Sequence, residues 1–410
     1  MTVFLIFVCL VMVGIVDIVL QNLAIRCAIP KNSILPEYDV LNDEKEDTTG
    51  TEMMPPSSPS AGFSPPISIL KPLKGIDDDL FDNLISFCNQ SYPEYEIIFA
   101  LEEKHDPALK LAQKIRKMYP HKKISIVVKQ RDYALNPKVD NLITAYEASQ
   151  FPYFLISDSD VRVDKHYLTA IVQDMQDPNV GLVSNLIRGI GSRSIGSLLE
   201  NMHLNSFVIG HVAIFTTLFK MSVVVGKSML IRKKAFEEIG GFDAVRNVLA
   251  EDYVIGELMH KKGTRVVTSG HVVNAVNQDR TFAQFLKRHA RWVKLRYKLG
   301  ALGYCSEIMS NAVFISCLAL AVLGPATHAV SLAAAVWFLK IMGDYLLGRR
   351  IRSAHRFFHY FLSPIKDIII GCIWFVPFVS RTVIWRRHRY KITKGTFLIP
   401  LHPLAKEKAQ

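Results

Sequence analysis

Two apolar blocks bracket a polar middle, and this layout most constrains what the chain can fold into: residues 3–20 are almost wholly apolar, and apolar character returns after Ile308. A run of about 18 apolar residues is long enough to cross a bilayer as a helix. The first block has no basic residue before it, is followed by Arg26 and Lys31, and ends in Val19, Leu20 and Gln21, a poor cleavage site. It reads as a retained transmembrane anchor over residues 1–29 with its C-terminal side in the cytoplasm, rather than a cleaved leader. Asp17 lies near its end, within reach of the interface. Residues 308–323 and 326–347, parted by Gly324 and Pro325, read as a transmembrane hairpin returning to the basic run 348–356. Lys340 and Asp344, four apart, pair on one helix face and reduce the cost of charge in that span. Basic clusters flank the last apolar stretch, 357–385, on both sides. A clean crossing would put one cluster on the wrong side, so an interfacial or re-entrant course is expected. The C-terminal membrane domain is thus expected over 301–394, followed by a tail at 395–410.

Between the blocks the composition changes twice. Acidic residues from Glu37 to Glu52 give way to a Pro/Ser/Gly stretch ending at Pro66. Such a segment buries too little apolar surface to fold, and 30–66 reads as a flexible tether. From Ile67 to about Gly300, β-type runs (ISIL, YEIIFAL, KISIVVK, YFLIS) alternate with helical periodicity (DDDLFDNLISFCNQ, DPALKLAQKIRKMY, PKVDNLITAYEAS). That alternation predicts an α/β domain with a mostly parallel sheet and ligands at the strand C-termini.

The formal charge of +12 and pI near 9.3 call for an anionic partner. Much of the positive charge (Arg349, Arg350, Arg352, Arg356, then Arg386, Arg387, Arg389, Lys391, Lys394) lies beside apolar segments, which favours lipid headgroups and orientation signalling. No zinc-finger, RNP or helix-turn-helix signature supports nucleic acid. Six cysteines form no CxxC pair, as expected for a catalytic part facing a reducing compartment.

The strongest local feature is ISDSDVRV, a β run ending in Asp158, Ser159 and Asp160. Two carboxylates one residue apart at a strand end can share a divalent cation, which can neutralise a diphosphate leaving group. With SILKPLKGIDDDLFDNLISFCNQSYPEYEIIFALEEKHDPA, NPKVDNL, VVVGKSMLIRKKAFEEIGGF, LAEDYVIGELM and RHARWVKLR, in this order, the pattern covers nearly the whole soluble region. In these stretches the chain resembles the ceramide glucosyltransferases, within the wider class of GT-A-fold inverting glycosyltransferases. The resemblance implies a GT-A-like nucleotide-sugar-binding domain, UDP-glucose as donor, the primary hydroxyl of ceramide as acceptor, and β-glucosylceramide as product.

The family pattern is three separated aspartates followed by an arginine/tryptophan motif. Matched to it, Asp106 is the first, near the nucleotide; Asp158 is the second, with Asp160 completing a DxD for Mg2+ or Mn2+; Asp252 is the third, the general base. Arg288, Arg291 and Trp292 match the terminal motif, with the arginines suited to a diphosphate and the tryptophan to an acceptor wall. Lys74 and Lys138 sit where strand-end loops meet the nucleotide-sugar. Inverting transfer needs a base on one face of the anomeric carbon and positive charge on the departing diphosphate on the other.

Blander roles compete. Asp106 can be the N-cap before Pro107, and Asp252, and still more Glu251, a helix N-terminal acid. Lone lysines are commonly solvated, and the arginine/tryptophan motif can be a basic helix lying on lipid. Gly226 opens a segment resembling acceptor-side structure, Gly240 and Gly241 end a helix, and His203, His211 and His271 show no metal spacing. The unusually apolar segment 198–226 is either a buried helix and strand or a lipid-facing wall. Rival functions are transfer to a hopanoid or diacylglycerol, a processive polysaccharide synthase, and a non-catalytic scaffold. The membrane domain is small for a polymer channel, and a scaffold needs none of the aspartates. Golgi and bacterial inner membranes both satisfy the expected orientation.

Overall fold

The structure, a computed structural model, describes residues 1–29, 63–131, 133–221, 223–385 and 388–403. Most of the expected tether therefore lies outside the described residues, but its last four do not behave as one. Tyr92 Oη donates to the Pro65 carbonyl at 2.6 Å, and Phe63 packs on the core, so the folded domain begins before Ile67.

Helix α1 (Thr2–Ala28) matches the predicted anchor but runs a further two turns beyond the apolar block. Strands β1 (Ile67–Pro72), β2 (Tyr95–Leu101), β3 (Lys123–Val128) and β4 (Tyr153–Ser157) alternate with α2 (Leu80–Cys88), α3 (Pro107–Met118) and α4 (Pro137–Ala148). Then come β5 (Val161–Arg162), α5 (Tyr167–Val172), β6 (Val180–Ile190), α6 (Ile195–His203) and α7 (Ile209–Thr217). They are followed by β7 (Ser228–Arg232), α8 (Lys233–Glu238), α9 (Glu251–Lys261) and β8 (Arg265–Val276). The eight-stranded sheet has the order β3-β2-β1-β4-β7-β6-β8-β5. Strands β3, β2, β1 and β4 run parallel, as do β6 and β8; β7 is antiparallel to β4 and β6, and β5 to β8.

Helices cover both faces, which is why the central strands read as continuous apolar runs. The period-2 alternation assigns each residue its side: Ile67, Ile69 and Ile97 pack with Phe87 and Tyr167, whereas Leu70 and Ile98 pack with Phe154 and Phe236 on the other face.

Helix α10 (Phe282–Leu299) leads into α11 (Ala301–Ser310), α12 (Ala312–Leu323) and α13 (Thr327–Arg350). The predicted continuous first arm of the hairpin is broken: α11 and α12 meet at 71°, where Asn311 caps α12 by accepting from the Phe314 N–H. Alone, α12 is about 18 Å long, short of a roughly 30 Å hydrocarbon core. By contrast, α1, α13 and the helical segment 357–379 are long and apolar enough to cross a membrane. Small residues let these helices approach closely: a Cβ on Gly14 would lie 2.7 Å from Ala312, and one on Gly343 2.4 Å from Ile18.

Beyond α14 (Ser363–Ile373) and α15 (Val376–Val379), the chain departs from the expected apolar stretch and tail. Helix ends at Val379, and β9 (Thr382–Trp385), β10 (His388–Ile392) and β11 (Leu398–Pro403) form a three-stranded antiparallel sheet. This sheet is part of the catalytic fold. Phe397 bridges to Val248, the Leu398 N–H donates to the Asn247 carbonyl, and Lys294 Nζ donates to the Thr382 carbonyl at 2.7 Å.

Two smaller expectations change. Asp17 lies 3.3 Å from His211 Nε2 and accepts from Gln21 at 2.6 Å, tying α1 to α7 instead of reaching an interface. Segment 198–226 is helical to Thr217 and has no strand among its described residues; Ile209, Val212 and Ala213 pack on Ala24 and Ile25 of α1. Its far end exposes Leu218, Phe219 and Met221. The predicted Lys340–Asp344 pair forms at 2.9 Å and is joined by Lys366 and Asp367.

Candidate active site

Strand β4 ends at Ser157, so Asp158 emerges at the carboxyl edge of the parallel half of the sheet. Beneath it the fully buried Lys71 donates to Ser157 Oγ at 3.1 Å and to the Asp158 carbonyl at 2.8 Å, and lies over the Phe87 ring. Burial draws Lys71 down to about 7, with Asp158 and Asp160 acting in the opposite direction. Antiparallel β7 pairs Ser228 with Ser157, and the Asp158 N–H donates to the Lys227 carbonyl. This register sets Lys227 beside both acids. Its Nζ is 3.3 Å from Asp158 Oδ2 and 2.6 and 2.5 Å from the Asp160 oxygens.

The two DxD carboxylates therefore converge on one cation position, here taken by an ammonium. That donor set fits a hard divalent ion, which Asp158 and Asp160 would hold together with ligands from a diphosphate. Among the described residues no group of three or more His, Cys, Asp or Glu side chains is arranged to hold a metal ion by itself.

Lys138, in the first turn of α4, joins two parts of the site: its Nζ is 2.8 Å from Asp158 Oδ1 and 2.9 Å from Glu251 Oε1. Asn136 caps α4 and donates to Glu251 Oε2 at 3.1 Å and to the Val248 carbonyl at 3.0 Å. Glu251 is thus more than a dipole-balancing acid: it is buried and anchors Lys138. Next to it, Asp252 Oδ1 accepts from the Tyr253 N–H at 2.8 Å and Oδ2 from the Gly226 N–H at 2.7 Å. A Cβ at residue 226 would lie 2.4 Å from Asp252 Oδ2, so only glycine lets that N–H reach the carboxylate.

The electrostatics differ sharply across this cluster. Burial would raise Asp158, but Lys138 and Lys227 override it and hold the carboxyl at about 2. For Asp252, burial and the adjacent Glu251 carboxylate push the pKa up to about 6, against Lys138 and the two N–H donors. One acid stays charged, while the other titrates near neutrality, where a general base is most effective.

The arginine/tryptophan motif lies on α10, whose start is set by a capping box between Thr281 and Gln284. Fully buried Glu200 of α6 takes Arg288 Nε at 3.1 Å and His289 Nε2 at 3.1 Å. Arg288 also lies over the Trp292 ring, 4.8 Å from its centroid. Among the described residues Arg291 has no carboxylate partner; burial, with Arg288 and Arg280 nearby, lowers it to about 10. An arginine still charged at neutral pH and unmatched by an acid can receive a diphosphate.

Two further predicted residues have partners of their own in the fold. The Asp106 carboxylate accepts from the Gly75 N–H at 2.9 and 3.0 Å and from the Ala108 N–H at 2.9 Å; it caps α3 and pins the loop after β1. Lys74 turns to Glu102 and Glu103, at 3.5 and 2.7 Å, as a partly exposed surface pair. Of the remaining histidines, His271 pairs with Asp164 at 2.7 Å. Gly240, at φ 92°, follows the end of α8 as expected. The sequence reading marks neither Lys227 nor Lys71, and it gives Glu251 only the role of a helix N-terminal acid. The signals were a lysine inside an otherwise apolar strand, a lysine directly before β7, and an acid directly before Asp252.

The profile of glycosyl transferase family 21 matches residues 45–398. The chain belongs to this family. The resemblance read from the motifs is borne out, and this family 21 protein is a glycosyltransferase. Ceramide glucosyltransferase 1 of Caenorhabditis elegans is 24% identical over 341 residues, 81% of this chain and 72% of that protein. Ceramide glucosyltransferase 3 of the same organism is 29% identical over 235 residues, 57% of this chain and half of that protein's length. The ceramide glucosyltransferase of Komagataella phaffii is 36% identical over 101 residues, 24% of this chain and 20% of that protein. A mannosyltransferase from Pyrobaculum calidifontis in complex with GDP-Man and Mn2+ aligns at 15% identity with a TM-score of 0.49, over 90% of this chain and 97% of that one.

Proposed function

We propose that this glycosyltransferase transfers glucose from UDP-glucose to the primary hydroxyl of ceramide with inversion, giving β-glucosylceramide. One observation carries the reading: Lys138 ties Asp158, held ionised, to Glu251 beside Asp252, poised near pH 6. Leaving-group and base functions thus occupy one cluster. Asp252 takes the proton of the acceptor hydroxyl, oriented by the Gly226 and Tyr253 N–H groups. Asp158 and Asp160 would hold a Mg2+ or Mn2+ ion, which when bound would supply positive charge to the departing diphosphate. Arg291 and Arg288 face the same charge, and Trp292 forms an apolar wall for the acceptor. The likeness to ceramide glucosyltransferases supports this donor and acceptor. Incubating the purified chain in ceramide micelles with a panel of UDP-sugars, and identifying lipid products by mass spectrometry, tests it; product only from another lipid or sugar overturns the assignment.

The divalent ion has its own test. Full removal by chelator is expected to lower turnover by about two orders of magnitude or more, restored by Mg2+ or Mn2+. Undiminished turnover after verified removal would leave the arginines and Lys227 as the sole stabilisers of the leaving group.

We infer that the catalytic domain lies on the cytoplasmic side. Both ends of segment 357–379 are tied to that domain: Arg188 donates to the carbonyls of Ile351 and Arg352 at 2.8 and 3.0 Å, and Lys294 reaches Ser380 and Thr382. A straight crossing would part these ends by about 30 Å, so the ties support the interfacial or re-entrant course. Ser57 and Lys406, otherwise natural labelling sites, lie outside the described residues, and Ser353 is hydrogen-bonded to Asn205. Single cysteines at Lys261 and Arg389, in a background without the native cysteines, serve instead. In sealed vesicles whose outer face is cytoplasmic, both are expected to react with an impermeant thiol reagent. Protection of both would reverse the orientation, and protection of Arg389 alone would make 357–379 a true span.

A further inference from the structure

Behind α10, on the membrane-domain side, lies a narrow cleft that, counted together with the open solvent at its mouth, encloses about 600 Å³. Its walls mix apolar groups (Ile18, Phe207, Val293, Trp374) with charged ones. The charges are already matched: Arg296 with Glu307 at 2.9 Å, Lys340 with Asp367 at 3.2 Å, and Asp17 with His211. His203 is different. It lines the cavity, is 1% exposed, and among the described residues neither ring nitrogen has a hydrogen-bond partner. Burial, His289 and nearby lysine and arginine charges hold its pKa well below the ordinary value, so the ring is a neutral imidazole with one donor and one acceptor unspent.

A buried polar group left unpaired costs about 1–3 kcal/mol, which a ligand supplying both partners recovers. With Arg296 and Lys340 already paired to Glu307 and Asp367, the wall offers an anionic headgroup no unmatched cation among the described residues. What fits is a neutral lipid head that both donates and accepts, such as an amide beside a hydroxyl, with apolar chains among the helices. The cavity also adjoins the catalytic helix. The His203 ring meets His289 edge-on at 4.7 Å, His289 meets Trp292 at 5.2 Å, and Glu200 holds both His289 and Arg288.

We infer that this cavity binds the neutral amide-and-hydroxyl head of the lipid acceptor through His203. The inference rests on the ceramide reading above and adds the acceptor's polar subsite. His203 is a binding residue here, outside the bond-making cluster.

The test uses the full chain in nanodiscs with a ceramide carrying a photoactivatable group near its head, and a matching photoactivatable phosphatidylcholine as control. Ceramide is expected to label peptides spanning 195–208 or 307–313, displaced by excess unlabelled ceramide, while phosphatidylcholine labels them weakly. His203→Phe keeps the ring stacked on Phe207, at 5.0 Å in the native chain, but removes both nitrogens. It is expected to lose the labelling and raise KM for ceramide about ten-fold, the worth of one or two hydrogen bonds, with KM for UDP-glucose unchanged. His203→Gln, which keeps a donor and an acceptor, should restore most of the affinity. Ser310→Met narrows the cavity from another wall residue, leaving His203 itself in place, and should raise the same KM, which guards against a folding defect in His203→Phe. Absence of labelling in the wild-type chain, or labelling and KM unchanged by His203→Phe and Ser310→Met, overturns the inference. Failure of the ceramide reading looks different: the wild-type chain labels at the cavity yet forms no glucosylceramide.

Discussion

Replacing Asp252 by asparagine is expected to leave UDP binding near wild type while transfer falls by about two to four orders of magnitude, the usual cost of losing a general base. Asparagine can keep the hydrogen bonds from the Gly226 and Tyr253 N–H groups through its amide oxygen, so the geometry survives while proton uptake does not. In the wild-type chain kcat/KM should rise with pH through about 6, where Asp252 loses its proton, and the residual rate of Asp252→Asn should lack that limb. The same group carries a stability consequence of definite sign. Its folded pKa, about 6, lies above the ordinary 3.8, so its stabilising contribution is complete below about pH 4 and lost as pH rises through 6. Above that, wild type bears a burial cost on the order of 2–3 kcal/mol that the asparagine variant escapes. Thermal unfolding in detergent should therefore find Asp252→Asn the more stable chain at pH 8, with the gap closing toward pH 4. A wild-type rate in the variant would remove Asp252 from catalysis, and equal melting at both pH values would remove the burial argument.

Ending the chain at Arg381, which deletes the three-stranded sheet, is expected to lower kcat about a hundred-fold while the membrane helices remain folded. The segment that leads into Glu251 and Asp252 is held from one side by Asn136 and Lys138 and from the other by this sheet. The Leu249 N–H donates to the Thr396 carbonyl at 2.9 Å, the Ala250 N–H to Thr396 Oγ1 at 3.3 Å, and the Leu398 N–H to the Asn247 carbonyl at 2.8 Å. Leu249 itself packs with Val383, Tyr390, Ile392 and Leu398. Without the sheet, Glu251 and Asp252 keep their helix but lose the frame that aims it, and a misplacement of about 1 Å at reacting groups costs roughly 10²-fold. Thr396→Val, which removes only the hydroxyl acceptor, should cost about ten-fold or less. Circular dichroism of both variants separates misplacement from unfolding. A truncated chain with wild-type kcat would reduce the sheet to a surface appendage.

Much of the site was legible because its residues announce themselves locally. Asp158 and Asp160 sit at the end of a β run, Asp252 opens a helical pattern, and the arginine/tryptophan motif repeats at helical spacing. The sheet's parallel half was equally legible, since strands buried on both faces must be apolar throughout and must be joined by helices. Less visible were roles that depend on which distant segments meet. Lys227 matters because β7 runs antiparallel beside β4, and no period in the sequence states that pairing. Asp106 illustrates the converse: an acid before a proline is both a family motif and an N-cap, and of its two N–H donors the one from Gly75 was set by where the loop after β1 came to rest.

The membrane region divides in the same way. Hydropathy alone marked α1 and α13, because a bilayer's thickness acts on each segment independently of its neighbours. Hydropathy could not distinguish 357–379 as a span from a segment with both ends held by the catalytic domain, nor foresee that 382–403 would fold back under the base. Those outcomes rest on Arg188, Lys294 and Thr396 meeting carbonyls and N–H groups far along the chain. The sequence by itself determined the alternating α/β domain and the apolar ends, since each follows from patterning within a few residues, and its family-like motifs marked the acids and arginines proposed to carry the chemistry. Only the tertiary structure decided their partners. Lys138 between Asp158 and Glu251, Gly226 on Asp252, and the unpaired His203 arise where separate elements pack, and there burial, not spacing, sets the charge state of each group.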